Sequence, residues 1–300
     1  MEYLFKRNIQ GWNSWGDIFQ DIPAWEELII HIFDKEDLKF EKIENLTPGT
    51  NAVFKVGEYV VKIFAPKESG LDTTMDVQTE LFSVKHVEKL GVSVPKCVVD
   101  GVIEDKYIFP YMIMDYVVGR EFAEIRNKLS DDEKIDFGRR LRGITDKMNK
   151  PCRRFNDIDV VNEKGRYQRW EKYPIEFRQE RLAYIKAQSY GELVFVHGDL
   201  CNDNILITED NQPCIIDFAD AVSAPIIYEH SHIASELFRF DKAFLKGFFG
   251  NYNPKKLAKM CFDGLLIHDF GGDIIAQRVA FAGKINSLQD MKQALYNMIK

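Results

Sequence analysis

Cysteine is scarce and unpatterned in this 300-residue chain. Cys97, Cys152, Cys201, Cys214 and Cys261 are the only five, and no two form a CxxC pair. An odd, scattered set predicts reduced thiols and argues against a disulfide framework or a zinc knuckle. Runs of basic residues are missing, the formal net charge is −7 and the pI is about 5.5. A nucleic-acid partner is therefore not expected. No apolar run approaches the roughly 18 residues of a membrane span. The opening MEYLFKRNIQ lacks the basic-then-apolar layout of a secretion signal. Internal repeats, low-complexity tracts and the G-x-x-x-x-G-K-[ST] loop of Walker-type NTPases are also missing. The expectation is a cytoplasmic monomer with no membrane partner. What the chain does have is 45% apolar residues, enough for a large core over a length that suits two lobes better than one.

The pattern divides the chain. Trp12, Trp15 and Trp25 fall in an opening segment that turns helical near Pro23 to Phe33, and they read as packing residues. Short β-like runs follow at Phe40–Leu46, Ala52–Val56 and Tyr59–Phe64, separated by turn signals. Leu81, Val84, Val87 and Leu90 predict a helix over Thr73 to Leu90, ended by Gly91. Two more β-like runs, Pro95–Val102 and Tyr107–Val118, complete an expected antiparallel meander with one inserted helix. Helical patterns dominate beyond Gly119. Ser130-Asp131-Asp132-Glu133 resembles a capping box opening a helix to about Asn149. A second helix is expected over Pro174–Gln188, a strand at Leu193–Val196 and a hairpin over Asn204–Thr208 and Pro213–Asp217. Four closing helices are expected at Glu229–Phe249, Pro254–Ile267, Asp273–Ala282 and Leu288–Ile299. The fold class is α+β, with a small lobe over residues 1–115 and a larger, mostly helical lobe over 116–300.

One stretch carries chemistry: Val196-His197-Gly198-Asp199-Leu200-Cys201-Asn202-Asp203-Asn204, followed by Ile215-Ile216-Asp217-Phe218. Transfer of a phosphoryl group needs oxygens for a metal ion, a base or orienter for the attacking hydroxyl, and a cation on the phosphate chain. Asp217 offers a hard carboxylate oxygen suited to Mg²⁺, and Asn204 an amide oxygen for the same ion. Asp199 can accept or aim the hydroxyl proton. The stretch matches the D-L-x-x-x-N half of a kinase catalytic loop, set between an apolar strand and a hairpin that ends in Asp-Phe. Each residue alone reads as an ordinary turn polar residue. The expected cation is Lys62, a lone charge inside Val60-Val61-Lys62-Ile63, where a solvent-facing strand lysine is the plainer reading; Glu80 near the start of the next helix is placed to pair with it, with Glu88 near the helix end as the competing acid. The turn Thr47-Pro48-Gly49-Thr50-Asn51 stands where a phosphate-covering loop would, so Thr50 is a phosphate-contact candidate, although an ordinary hairpin turn fits it equally well.

These residues resemble the aminoglycoside phosphotransferase and choline kinase group, within the protein-kinase-like fold. The resemblance covers roughly Phe40 to Leu237. Gly198 stands where protein kinases carry arginine, and Asp217-Phe218-Ala219-Asp220 replaces Asp-Phe-Gly; both mark the small-molecule branch. The resemblance implies an ATP- or GTP-dependent, Mg²⁺-requiring kinase acting on a hydroxyl of a small molecule. It implies Asp199 as catalytic base and Asn204 and Asp217 as metal ligands. It also implies a hinge at Met112 to Val117, where the backbone of Met114, Asp115, Tyr116 and Val117 would meet the purine edge. Ser223-Ala224-Pro225-Ile226-Ile227-Tyr228-Glu229 departs from the Gly-Asp-Pro pattern of many members. His268-Asp269-Phe270-Gly271 imitates the protein-kinase metal motif but falls in the helical C-terminus, where it reads as a helix terminus.

Asp220, Glu229, Glu236 and Asp241 are the acceptor-side candidates, because a carboxylate cluster would attract an aminoglycoside-type aminosugar. Ordinary surface acids are the competing reading. Tyr167, Trp170 and Tyr173 are either an aromatic wall or lobe packing. Choline, an amino alcohol or a sugar are alternative acceptors. Two other classes stay open: a non-catalytic nucleotide-binding module, and a two-metal phosphoesterase built on His197, Asp199, Asp203 and Asp217.

Overall fold

The computed structural model describes residues 2–162, 169–280 and 284–300. It divides into two compact units, Met1–Lys89 with Ser93–Val118, and Leu90–Val92 with Gly119–Lys300. Tyr167 lies outside the described residues, as does the end of the helix expected over Asp273–Ala282. Among the described residues no helix is long and apolar enough to cross a membrane.

The first unit opens with helices α1 (Gly11–Gly16) and α2 (Ile22–Lys35). Trp25, Leu28, Ile29, Ile32 and Phe33 form the buried stripe of α2, at helical spacing. Trp15 and Trp25 pack edge-on at 5.7 Å, and Trp25 meets Phe109 at 5.4 Å. Trp12, expected to pack with them, is 60% exposed, because it sits on the outer side of the short α1. The strands are β1 (Ile43–Asn45), β2 (Ala52–Val56), β3 (Tyr59–Ile63), β4 (Cys97–Glu104) and β5 (Ile108–Asp115). Helix α3 (Thr74–Lys89) joins β3 to β4. The sheet is antiparallel throughout but is not the simple meander expected, since its order is β1-β2-β3-β5-β4. The long α3 connection carries the chain past the neighbouring slot. β4 therefore takes the outer edge, and the β4–β5 hairpin returns β5 against β3.

The second unit begins with β6 (Gly119–Glu121), the short α4 (Phe122–Ile125) and α5 (Asp131–Met148). The capping box is present: Ser130 Oγ accepts from Glu133 N while the Glu133 carboxylate accepts from Ser130 N at 2.8 Å. After α6 (Ile175–Lys186) come β7 (Leu193–Val196), β8 (Ile205–Thr208), β9 (Pro213–Ile215) and β10 (Val222–Pro225). β7 pairs with β10, and β6, β8 and β9 form a second small sheet. These strand ends present the loops 197–204 and 216–221.

The helix expected over Glu229–Phe249 is broken in two. α7 (Ile227–His232) widens into a π segment at Ile233–Leu237, and the chain then turns through left-handed residues Arg239 and Phe240. Asp241 restarts it by capping α8 (Lys242–Phe249), its Oδ1 accepting from Ala243 N at 2.9 Å. α9 (Pro254–Ile267) and α11 (Leu288–Ile299) have their expected bounds. Between them α10 (Gly271–Ile274) runs into a second π segment, Ile275–Val279.

Helices α5 and α8 approach through glycine. A Cβ on Gly247 would lie 2.2 Å from Ile135 O, and one on Gly138 2.7 Å from Phe244 O. Gly247→Ala must push the helices apart, at a cost of about 1–3 kcal/mol for overpacking. The expected outcome is a lowered thermal midpoint in a denaturation scan; an unchanged midpoint would contradict this packing.

Candidate active site

In the first unit Lys62 sits on β3 between Val53 of β2 and Met112 of β5. Its ammonium meets Glu80 Oε2 of α3 at 2.6 Å, with Lys62 4% and Glu80 1% exposed. Two charges buried to this depth are tolerable only as a pair, and removing one leaves the other stranded. Of the expected hinge residues, the Asp115 amide already donates to Lys96 O and the Tyr116 amide to Glu58 O. The backbone left for a purine edge is therefore carbonyl oxygen and the Val117 amide. Thr50 is exposed, and its carbonyl accepts from Trp15 Nε1 at 2.7 Å.

In the second unit the chain leaves β7 and turns at Gly198, whose φ is +86°. A Cβ there would lie 2.0 Å from Asp220 O, so the glycine is required twice, by conformation and by contact. His197 is fully buried. Its Nε2 donates to Ile216 O at 3.0 Å and its Nδ1 accepts from Asp199 N at 3.3 Å. Burial holds its pKa below the ordinary imidazole value, which keeps the ring neutral as this pattern demands. With both ring nitrogens engaged, His197 is not a metal ligand, which removes the phosphoesterase reading's histidine. The ring instead ties the Asp199 loop to the strand end that precedes Asp217.

Glu229 supports the same loop from within. It is 1% exposed, and its Oε2 accepts from His197 N at 2.6 Å. Burial pushes its carboxyl up to about 7, while the His197 and Gly198 amides and His232 favour the ionised form. This corrects its assignment to the acceptor side: Glu229 lies beneath the loop and does not line the cavity. Asp220 is exposed, with its carbonyl against Gly198, and does not line the cavity either. Asp241 is spent on capping α8 and on Lys134 at 2.7 Å. Glu236 does reach the cavity, but Arg278 forks onto it at 2.5 and 3.0 Å. Trp170 and Tyr173 are buried packing residues.

Asn204 Nδ2 donates to Asp199 O at 2.8 Å and to Asp199 Oδ2 at 3.3 Å. The amide nitrogen is thus taken, leaving Asn204 Oδ1 as the oxygen donor. Asp217 is exposed and holds φ at +61°, a left-handed conformation that aspartate tolerates better than most residues. Two hard oxygens beside a phosphate chain suit Mg²⁺, which is usually bound by one or two protein groups plus phosphates and water. Among the described residues no cluster of three His, Cys, Asp or Glu side chains forms a self-contained metal cage.

A cavity of about 450 Å³ opens beside Asp199. One of its walls is a residue that sequence reasoning missed. His232 Nε2 stands 3.3 Å from Asp199 Oδ1. Burial opposes its charge, but the hydrogen bond and charge of Asp199 outweigh this and raise its pKa. The available signal was spacing: His232 follows Glu229 by three residues, one helical turn. His268 stacks on His232 at 4.7 Å and on Tyr228 at 3.9 Å.

The profile of the phosphotransferase enzyme family matches residues 49–262. The chain belongs to the phosphotransferase enzyme family. Its members transfer a phosphoryl group, and this chain is a phosphotransferase with an alcohol group as acceptor. The fold is similar to solved aminoglycoside phosphotransferases. A GDP complex of an aminoglycoside 2'-phosphotransferase-IIIa variant shares 17% identity, over 92% of this chain and 99% of that one, at a TM-score of 0.60. A GDP and kanamycin complex of APH(2'')-IIIa shares 17%, over 90% and 99%, at 0.59. APH(4)-Ia shares 14%, over 90% and 98%, at 0.55. Identities this low establish the two-lobed kinase-like α+β fold only. A search by sequence against curated proteins finds no match.

The pH dependence of stability tests the placement of Glu229. Its folded pKa of about 7 lies above the ordinary 4.5, so the folded state holds a proton that the unfolded chain releases in that window. This contribution is fully present below 4.5 and is lost as pH rises through about 7, on the order of 3 kcal/mol. His230, held down to about 4 by burial, acts in the opposite sense in both proteins compared. Relative to Glu229→Gln, the wild type should lose stability across this window in urea titrations. A difference that stays constant with pH would show that Glu229 is not buried as described.

Proposed function

We propose that this enzyme transfers the γ-phosphoryl group of ATP or GTP to a hydroxyl of a small molecule. The observation that carries this reading is the loop geometry around Asp199, with its carboxylate at the cavity and Asn204 bonded to it from behind. Asp199 aims the acceptor hydroxyl and takes its proton as the oxygen attacks phosphorus. His232, charged or hydrogen-bonded at Asp199 Oδ1, fixes the orientation of that carboxylate. Asn204 and Asp217 are the residues that would hold Mg²⁺, which when bound supplies charge neutralisation on the phosphate oxygens. Lys62, held by Glu80, offers its ammonium to the donor's phosphates. Met114 to Val117 offer carbonyls and the Val117 amide to the purine, and Thr50 offers its hydroxyl to phosphate.

The structural neighbours include complexes with GDP and with ADP, which supports a purine nucleotide donor of either kind. One neighbour binds kanamycin and another is a streptomycin ternary complex, which supports an aminosugar acceptor. The acids expected to draw that acceptor do not do so, because Glu236 is already neutralised by Arg278 and Glu229 and Asp220 do not line the cavity. A hydroxylated small molecule is the reading common to both observations.

Asp199→Ala should lower acceptor-dependent nucleotide turnover by about 100-fold or more, the scale of a lost general base. Lys62→Ala should do the same while leaving Asp199 in place. A coupled assay of nucleotide consumption over aminoglycosides, amino alcohols, sugars and hydroxy acids reads both. Turnover that survives Asp199→Ala unchanged would refute the mechanism.

A further inference from the structure

Four arginines line the cavity beside Asp199: Arg126, Arg169, Arg239 and Arg278. Two are matched by carboxylates. Arg278 forks onto Glu236, and Arg169 Nη1 meets Asp273 at 3.1 Å, where Lys172 also binds. The other two are not. Arg239 is exposed and has no side-chain partner among the described residues. Arg126, half-buried, gives three of its five donors to uncharged acceptors: Leu237 O at 3.0 Å, Phe238 O at 2.8 Å and Asn127 Oδ1 at 3.0 Å. Burial lowers the Arg126 pKa, the charges of Arg239 and Arg278 add to this, and those of Asp241 and Glu236 oppose it. Three guanidinium groups therefore gather around residues 236–239, where Glu236 is taken by Arg278 and the nearby Asp241 by Lys134.

The backbone there is costly. Arg239 and Phe240 are consecutive non-glycine residues in the left-handed region, at φ +51° and +57°. Strain of this kind persists where surrounding structure enforces it, and it concentrates at ligand sites. Glu236 and Arg278 come from the two π segments, Ile233–Leu237 and Ile275–Val279, and such widened turns recur at functional sites. The carboxylates left without a cationic side chain of Lys or Arg are Asp199 and Asp203, both on the catalytic loop. The cavity shares Asp199 with the transfer chemistry but not Asn204 or Asp217, so its occupant is the acceptor and not the triphosphate.

We propose that the acceptor is an anion: a hydroxylated small molecule whose carboxylate or phosphate group is held by Arg239 and Arg126 while its hydroxyl reaches Asp199. The assignment of the occupant as acceptor rests on the kinase reading above; the oxyanion site itself does not. A guanidinium fork matches the planar or tetrahedral oxyanion in two hydrogen bonds, which an ammonium-rich aminosugar cannot supply.

The test has a binding arm and a turnover arm on the full chain. Inorganic sulfate is titrated calorimetrically into wild type and Arg239→Gly, a variant that removes the guanidinium and suits the left-handed backbone. Sulfate affinity should fall at least about tenfold in Arg239→Gly, and the thermal midpoint should not fall. Arg239→Lys, which keeps the charge without the fork, should lie between them. In the turnover arm, hydroxy acids, sugar phosphates and kanamycin are offered as acceptors to the wild type. Stimulation by hydroxy acids assigns a carboxylate, and stimulation by sugar phosphates assigns a phosphate. Sulfate affinity that is equal in wild type and Arg239→Gly, or stimulation by kanamycin alone, would overturn the proposal. Arg239-dependent sulfate binding in a chain that turns over no nucleotide would refute the kinase reading and uphold the oxyanion site.

Discussion

A carboxylate buried under a loop is the constraint on which the catalytic half of this molecule depends. Glu229 reaches the His197 amide from α7, and that bond fixes where the chain leaves β7. Putting a carboxyl at this depth costs free energy, recovered only if the amides it meets stay in place. The loop is then held on two further sides. Gly198 lies against the Asp220 backbone with no room for a side chain, and His197 bridges Asp199 N to Ile216 O. Asp199 and Asp217 belong to different loops, yet one neutral imidazole spans from the first to the residue before the second. The candidate base and the candidate metal ligand are thereby set by packing within one unit, not by loop chemistry alone.

Much of this was legible in the sequence, and the reasons differ by element. Lys62 and Glu80 were readable because a lone lysine in an apolar strand needs a partner and the next helix offers an acid early. The placement of Asp199 and Asn204 on one loop, and of Asp217 just past a hairpin, was readable because their spacing is tied to a strand, a turn and that hairpin. The sheet order was not readable, since turn signals report which strands are consecutive and not which slot a long connection skips. Nor was the break in the helix expected over Glu229–Phe249. Its residues have helical spacing throughout, and only the Asp241 cap and the left-handed pair at Arg239 and Phe240 reveal the interruption. Glu229 was singled out but given the wrong task, because an acid following the metal motif reads the same from the sequence whether it faces a ligand or a backbone amide.

The cavity beside Asp199 illustrates why counting charged residues along a chain is a poor guide to a site. A net charge of −7 suggests an acidic pocket. The actual lining is decided by which acids are already paired, and Glu236 and Asp273 are both spoken for by cations. What remains is an acidic loop end, suited to a metal-bound phosphate transfer, and a basic segment around residues 236–239. Family membership fixes phosphoryl transfer as the class of reaction, and local pairing sets the charge of the cavity beside Asp199.

Where the phosphoryl group goes decides whether this chain is a small-molecule kinase. The most direct measurement is mass spectrometry of the acceptor after incubation with Mg²⁺ and a nucleotide carrying ¹⁸O on its γ-phosphate. The account predicts a labelled phosphate monoester on the acceptor's hydroxyl oxygen, formed by the wild type and not by Asp199→Ala. Label found only in inorganic phosphate, with every acceptor unmodified, would contradict it.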